Sequence, residues 1–186
     1  MTLFSSLLIN CNNAKDNAVI DPVPKSSELI QTAKESDTIR NYWEINTDTI
    51  SDQQTLKTTE KNYYLKASTF SLNDSLIVRN LGSDNSRIYL DHSHTIVTDI
   101  FLMSDSNTDQ KRIDRTDFKS ILSPEFYLDC NLTSTKIDSI SNSSVYLTSD
   151  LAIPDTSDQW RVWYLINITD NRLGAIEITK ADYAGL

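Results

Sequence analysis

From Tyr42 onward, apolar residues recur in short runs rich in β-branched and aromatic side chains, each bounded by Asn, Asp or Ser. This is the pattern of antiparallel strands joined by tight turns. It predicts strands over 42–47, 62–71, 75–81, 87–91, 95–103, 144–149, 159–169 and 173–180. Turns are expected at Asn73-Asp74, from Gly82 to Asn85, at 105–107 and at 170–172. In the run 159–169, Trp160, Val162, Tyr164, Ile166 and Ile168 share one face, while Trp163 and Leu165 ask for partial cover on the other. A strand apolar on both faces belongs inside a sheet.

The period turns helical between 115 and 130, where Phe118, Ile121 and Leu122 fall on one side. Ser123-Pro124-Glu125 has the form of an N-cap followed by proline at the first helical position. A second short amphipathic helix is expected over 26–40 from Leu29, Ile30 and Ala33, capped by Ser26 or Ser27. The expected architecture is one mainly β domain over 42–183, an antiparallel sheet or sandwich-like fold with a small helical insert near 117–128.

Composition sharpens this picture. Asp, Asn, Ser and Thr supply 77 of the 186 residues, and Gly only 3. Short polar side chains suit turns and β surfaces rather than long helices. The formal net charge of -9 disfavours a nucleic-acid partner, which needs a basic footprint. With 39% hydrophobic residues the chain can build one ordinary core.

The first eleven residues, MTLFSSLLINC, read as an address. An apolar stretch ends at Cys11, with Leu8 three places before it, and this resembles the tail of a bacterial lipoprotein signal peptide. In such peptides the cysteine is acylated and becomes the first mature residue. Asn10 stands where a small residue is usual, and no Lys or Arg precedes the apolar run. The competing reading is a short N-terminal strand or buried arm. Residues 12–41 begin as a polar tether carrying Pro22 and Pro24 and then hold the expected short helix. Lipid on Cys11 leaves Cys130 as a buried small hydrophobe, whereas an unacylated Cys11 is free to pair with it in an oxidising compartment.

LINC at the N-terminus, SLNDSLIVRN, HTIVTDIFLM, IDRTDFKSILSPEF and the closing WRVWYLINIT with LGAIEITK give the chain a further likeness. In that order, over about 140 residues, it resembles a family of uncharacterised Bacteroidota lipoproteins built as a tethered, mostly β domain. The resemblance implies an envelope location and a β-rich fold, and it brings no catalytic residues.

Candidate chemistry is sparse. Asp105, Asn107 and Asp109 form a D-x-N-x-D array suited to calcium, but Gln110 and Thr116 stand where an EF-hand loop needs Gly and Glu. His92 and His94, two apart, would face the same way on a strand and could share zinc with Asp91 or Asp99. Each set has an ordinary reading as a polar turn. Glu44 and Glu177 sit among apolar neighbours yet fit the outward positions of strands. No nucleophile elbow, Walker loop, dinucleotide fingerprint or zincin helix occurs. Trp43, Tyr63, Tyr64 and Trp163 are candidate ligand-binding aromatics. The function expected is a non-enzymatic binding or structural module of the cell envelope. Lipid on Cys11 anchors it, with the outer membrane as the expected membrane, and its partner is an envelope protein or a glycan. No cofactor is required. The alternatives are a secreted or periplasmic metal-dependent hydrolase and a cytoplasmic β protein.

Overall fold

The computed structural model describes residues 37–57, 62–105, 107–141 and 143–185. Cys11, the tether and residues 26–36 of the expected first helix lie outside them. The described residues form a single, mainly β, sandwich-like domain with a small helical insert.

One sheet holds β2 (Thr49–Lys57), β3 (Asn62–Ser71), β6 (Ile96–Ser104) and β7 (Thr108–Ile113), in the order β2-β3-β6-β7. The second holds β8 (Asn131–Ile140), β9 (Ser144–Ala152), β10 (Gln159–Thr169) and β11 (Arg172–Tyr183), in the order β11-β10-β9-β8. Alternation directs Leu65, Ile100 and Leu102 of the first sheet and Leu147, Val162, Tyr164 and Ile166 of the second into one core. As expected, β10 lies inside its sheet, with Val162, Tyr164, Ile166 and Ile168 buried and Trp160, Trp163 and Leu165 half-buried.

A line of hydroxyls crosses this core. Thr69 and Thr98 lie 2.7 Å apart, Thr98 donates to Thr135 at 2.9 Å, and Ser149 (2.8 Å) and the Tyr164 phenol (2.9 Å) complete the chain. Every member bonds another, so the buried oxygens cost little, and because hydrogen bonds are directional they fix the sheets in register.

Side chains stitch the open corners of the sandwich. On one side Gln54 donates to the carbonyl of Ile137 at 2.7 Å and Asp52 accepts from its N–H at 2.9 Å. On the other, Asp109 accepts from the N–H of Leu173 at 2.7 Å and Asn107 donates to the carbonyl of Asn171 at 3.1 Å. Edge backbone that would otherwise invite another strand is thereby occupied.

The insert closes one part of the core. Asp114 caps a 3-10 turn (Arg115–Phe118) in a reciprocal capping box with Asp117, and burial raises the Asp117 carboxyl above its ordinary range. Ser123 caps α1 (Pro124–Asp129), with Pro124 in its first turn as the sequence predicts. Arg115 donates to the carbonyls of Tyr127, Leu128 and Cys130 at 3.0–3.2 Å, supplying the positive charge favoured at a helix C-terminus. Phe118 packs on Tyr164 at 5.3 Å between ring centroids.

A third sheet, ordered β1-β5-β4, contains β1 (Asp37–Tyr42), β4 (Ile77–Asp84) and β5 (Arg87–Ser93). β4 and β5 form a hairpin, and β1 runs parallel to β5. The expected strand over 42–47 is therefore corrected: the strand is 37–42, and 43–48 is the crossing between two sheets. Asn46 is pinned there by two bonds of 2.9 Å with the Asn73 side chain. The helix expected over 26–40 is corrected at its end, since 37–40 are strand paired to β5. The turn expected from Gly82 to Asn85 falls at Asn85-Ser86, whose φ values of 47° and 69° suit a two-residue hairpin. Gly82 stays in the strand at a bulge, with φ of 110° that a side chain would strain. The strands β2, β7 and β8, which the hydrophobic pattern did not predict, are each the edge of a sheet.

Candidate functional site

A cleft of about 250 Å³ opens at one end of the sandwich, beneath the third sheet. It forms where β3 ends (Ser71), β6 and β8 begin (Ile96, Asn131, Thr133) and β9 ends (Ala152), with Pro154 beyond. The crossing from β1 to β2 supplies Trp43, Glu44 and Asn46, and the end of β5 and its link to β6 supply Ser93 and His94.

One carboxylate organises the wall. Asp91 of β5 is 4% exposed and accepts from three side chains: Asn41 Nδ2 at 2.7 Å, Trp43 Nε1 at 2.8 Å and Arg79 at 3.3 Å. A buried charge is stable only when paired and hydrogen-bonded, and Asp91 meets both conditions. Arg79 also donates to the carbonyl of Pro154, tying β4 to the loop after β9, and lies 3.9 Å from Asp155. The indole of Trp43 is therefore fixed by its N–H while the residue stays 37% exposed. An aromatic so held gives up little freedom when it meets a ligand.

The floor is fixed in the same way. The His94 ring accepts from the N–H of Ser75 through Nδ1 at 3.0 Å, so its hydrogen sits on Nε2, 3.1 Å from the carbonyl of Glu44. Asn131 donates to the carbonyl of His94 at 2.7 Å and accepts from the N–H of Ile96 at 3.1 Å. Beside them, burial works to raise the Asp74 carboxyl, but the N–H groups of Thr95 (2.9 Å) and Leu76 (3.2 Å) hold it below the usual carboxylate range.

The residues singled out in the sequence are dispersed. His92 stacks on Tyr42 at 4.5 Å between centroids, on the opposite face of its sheet from Asp91. Its Nε2 is buried and meets no partner among the described residues. Asp99 is held by Arg112 at 2.8 and 2.9 Å. Asp105 accepts weakly from the N–H and side chain of Asn62 at 3.3–3.4 Å, while Asn107 and Asp109 are corner stitches, so all three of the D-x-N-x-D side chains already bond backbone. Among the described residues no three His, Cys, Asp or Glu side chains converge as metal ligands do.

Of the aromatics, Tyr63 is 3% exposed, with its hydroxyl bonded to Asn171 at 3.0 Å, so it belongs to the core. Tyr64 is half-buried and bonds Gln53 at 2.5 Å on β2. Trp43 lines the cleft, and Trp163 lies on the outer face of the other sheet. Sequence reasoning missed Arg79 and Asn41, which meet Asp91 through strand pairing, and Asn131, whose side chain reaches His94 and Ile96 from the other sheet. Burial places the Cys130 thiol far from reactivity, its pKa pushed up to about 11 despite the nearby Arg115.

The sequence matches no protein-family model and no curated protein.

Proposed function

We propose that the protein is a non-enzymatic binding module of the bacterial cell envelope, anchored by lipid on Cys11. The cleft beside Trp43 receives the apolar part of an envelope protein or glycan. The observation that carries this reading is the indole of Trp43, part-exposed over an apolar hollow and held by the buried Asp91 carboxylate. Such a site recognises shape and apolar surface. The ring nitrogens of His94 are both engaged, which leaves it holding the loops together rather than moving a proton.

Two readouts test the proposal. Metabolic labelling with an alkyne fatty acid in the native host should mark the full reading frame and leave its Cys11→Ala variant unmarked; an unlabelled native protein overturns the anchor. Screening envelope glycans and apolar peptides by thermal shift should find a ligand that stabilises the native protein and loses about tenfold in affinity with Trp43→Ala. Equal affinity in the variant overturns the cleft.

A further inference from the structure

The outer face of the β8–β11 sheet carries a second arrangement that shares no lining residue with the cleft. Strand alternation places Val162, Tyr164, Leu147 and Ser149 in the core and so turns Arg161, Trp163, Thr148 and Asp150 outward. In register, Arg161 sits across from Asp150, which pairs with Ser134, and Trp163 sits across from Thr148, which pairs with Lys136. Two successive rungs across three strands thus line a groove of about 210 Å³, with Asp138 at its side.

Its polar groups are arranged before any ligand arrives. Arg161 grips Asp150 through two bonds of 2.7 and 3.1 Å, and Ser134 adds a third to the same carboxylate at 3.2 Å. Thr148 donates to Asp138 at 2.6 Å. The Lys136 ammonium meets no partner among the described residues. The Lys180 ammonium, paired with Asp182, lies over the Trp163 ring at 4.5 Å from its centroid, so a sugar that stacks on the indole meets or displaces it.

We propose that this groove binds the sugar units of a neutral oligosaccharide, independently of the cleft. A pyranose presents an apolar C–H face and a rim of hydroxyls, each able to donate and to accept. Trp163 offers a flat surface for the first. Arg161 and Lys136 as donors, with Asp138 and Asp150 as acceptors, serve the second. Two cations and two anions make the groove charge-balanced in a chain of net charge -9. That balance suits a neutral ligand, while the overall charge repels a polyanion.

The test titrates the full chain calorimetrically with the hexaoses of β-1,4-glucan, β-1,4-mannan, β-1,4-xylan and β-1,3-glucan, with heparin as the anionic comparison. At least one neutral hexaose should bind. Affinity should fall about tenfold in Trp163→Ala, fall less in Trp163→Phe, which keeps a ring and reports on folding, and stay unchanged in Trp43→Ala. Binding by none of the neutral hexaoses, binding by heparin only, or equal affinity in Trp163→Ala overturns the proposal. Loss in Trp43→Ala alone assigns the sugar to the cleft and equally overturns it.

Discussion

In the sandwich, the strands between two neighbours bury Leu65, Ile100, Leu147 and Ile166 at 1% exposure or less, and packing of apolar surface holds the two sheets together. In the β1-β5-β4 sheet, the corresponding buried position of β5 is Asp91, facing Arg79, and several apolar side chains stay in solvent, among them Tyr42 at 58% and Leu81 at 55%. The first region is held by non-directional burial, which tolerates small shifts. The second is held by a few directional bonds around one carboxylate, which locate their partners closely but give way together when the hub is lost. The wall that carries Trp43 therefore rests on geometry rather than on mass of contact.

The largest expected effect breaks the sandwich. Leu147→Ala should cost ~3 kcal/mol of global stability, read from the denaturant midpoint at unchanged m-value, because the rigid core leaves a cavity. A cost below ~1 kcal/mol would mean that the core repacks freely, and the contrast with the third sheet would lose its basis.

Next comes the hub. Asp91→Ala strands Arg79 and frees Trp43, and should lower the free energy of opening the third sheet by ~2–3 kcal/mol. Amide exchange should accelerate in β1, β4 and β5 while β9 and β10 keep their protection. Uniform acceleration across all strands would show that the two regions unfold as one.

The smallest effect is alkaline. Cys130 is fully buried, and its thiol keeps its proton to about 11, whereas in the unfolded chain it ionises near 9.0. Between those values unfolding releases a proton, so stability should fall as pH rises, by up to ~2 kcal/mol at pH 11. The full contribution is present below pH 9. Titration curves of the native protein and Cys130→Ala, compared over pH 8–11, isolate this loss from that of other groups. The same burial predicts slow alkylation by iodoacetamide in the folded state and ordinary reactivity in denaturant.

How much of this was legible follows from where each strand sits. β10 and β3 could be read to the residue because interior strands carry their apolar pattern on a buried face. β2, with TISDQQTLK, and β7, with TDQKRI, are edges whose side chains mostly meet water, so period-2 hydrophobicity has little to record. β8 adds two bulges, after Leu132 and Ile137, which break its alternation, and Thr135 is a polar residue in the core. The hydroxyl line is opaque for the same reason: Thr98 and Ser149 look like surface residues until their partners from other strands arrive.

At the site, Trp43 and His94 stood out by residue type, but their roles did not. Asp91 lies 48 residues from Trp43, and Arg79 lies 75 from Pro154. Local sequence carries no trace of such pairings. The chain by itself determined its β class, the Ser123-Pro124 helix start, the interior strands and the tight turn at Asp170-Asn171, because periodicity, capping and turn chemistry act over a few neighbouring residues. Only the tertiary structure decided which polar side chains became buried hubs, corner stitches or an outward groove, because a polar group's burial and partners are set by strand pairing between distant segments.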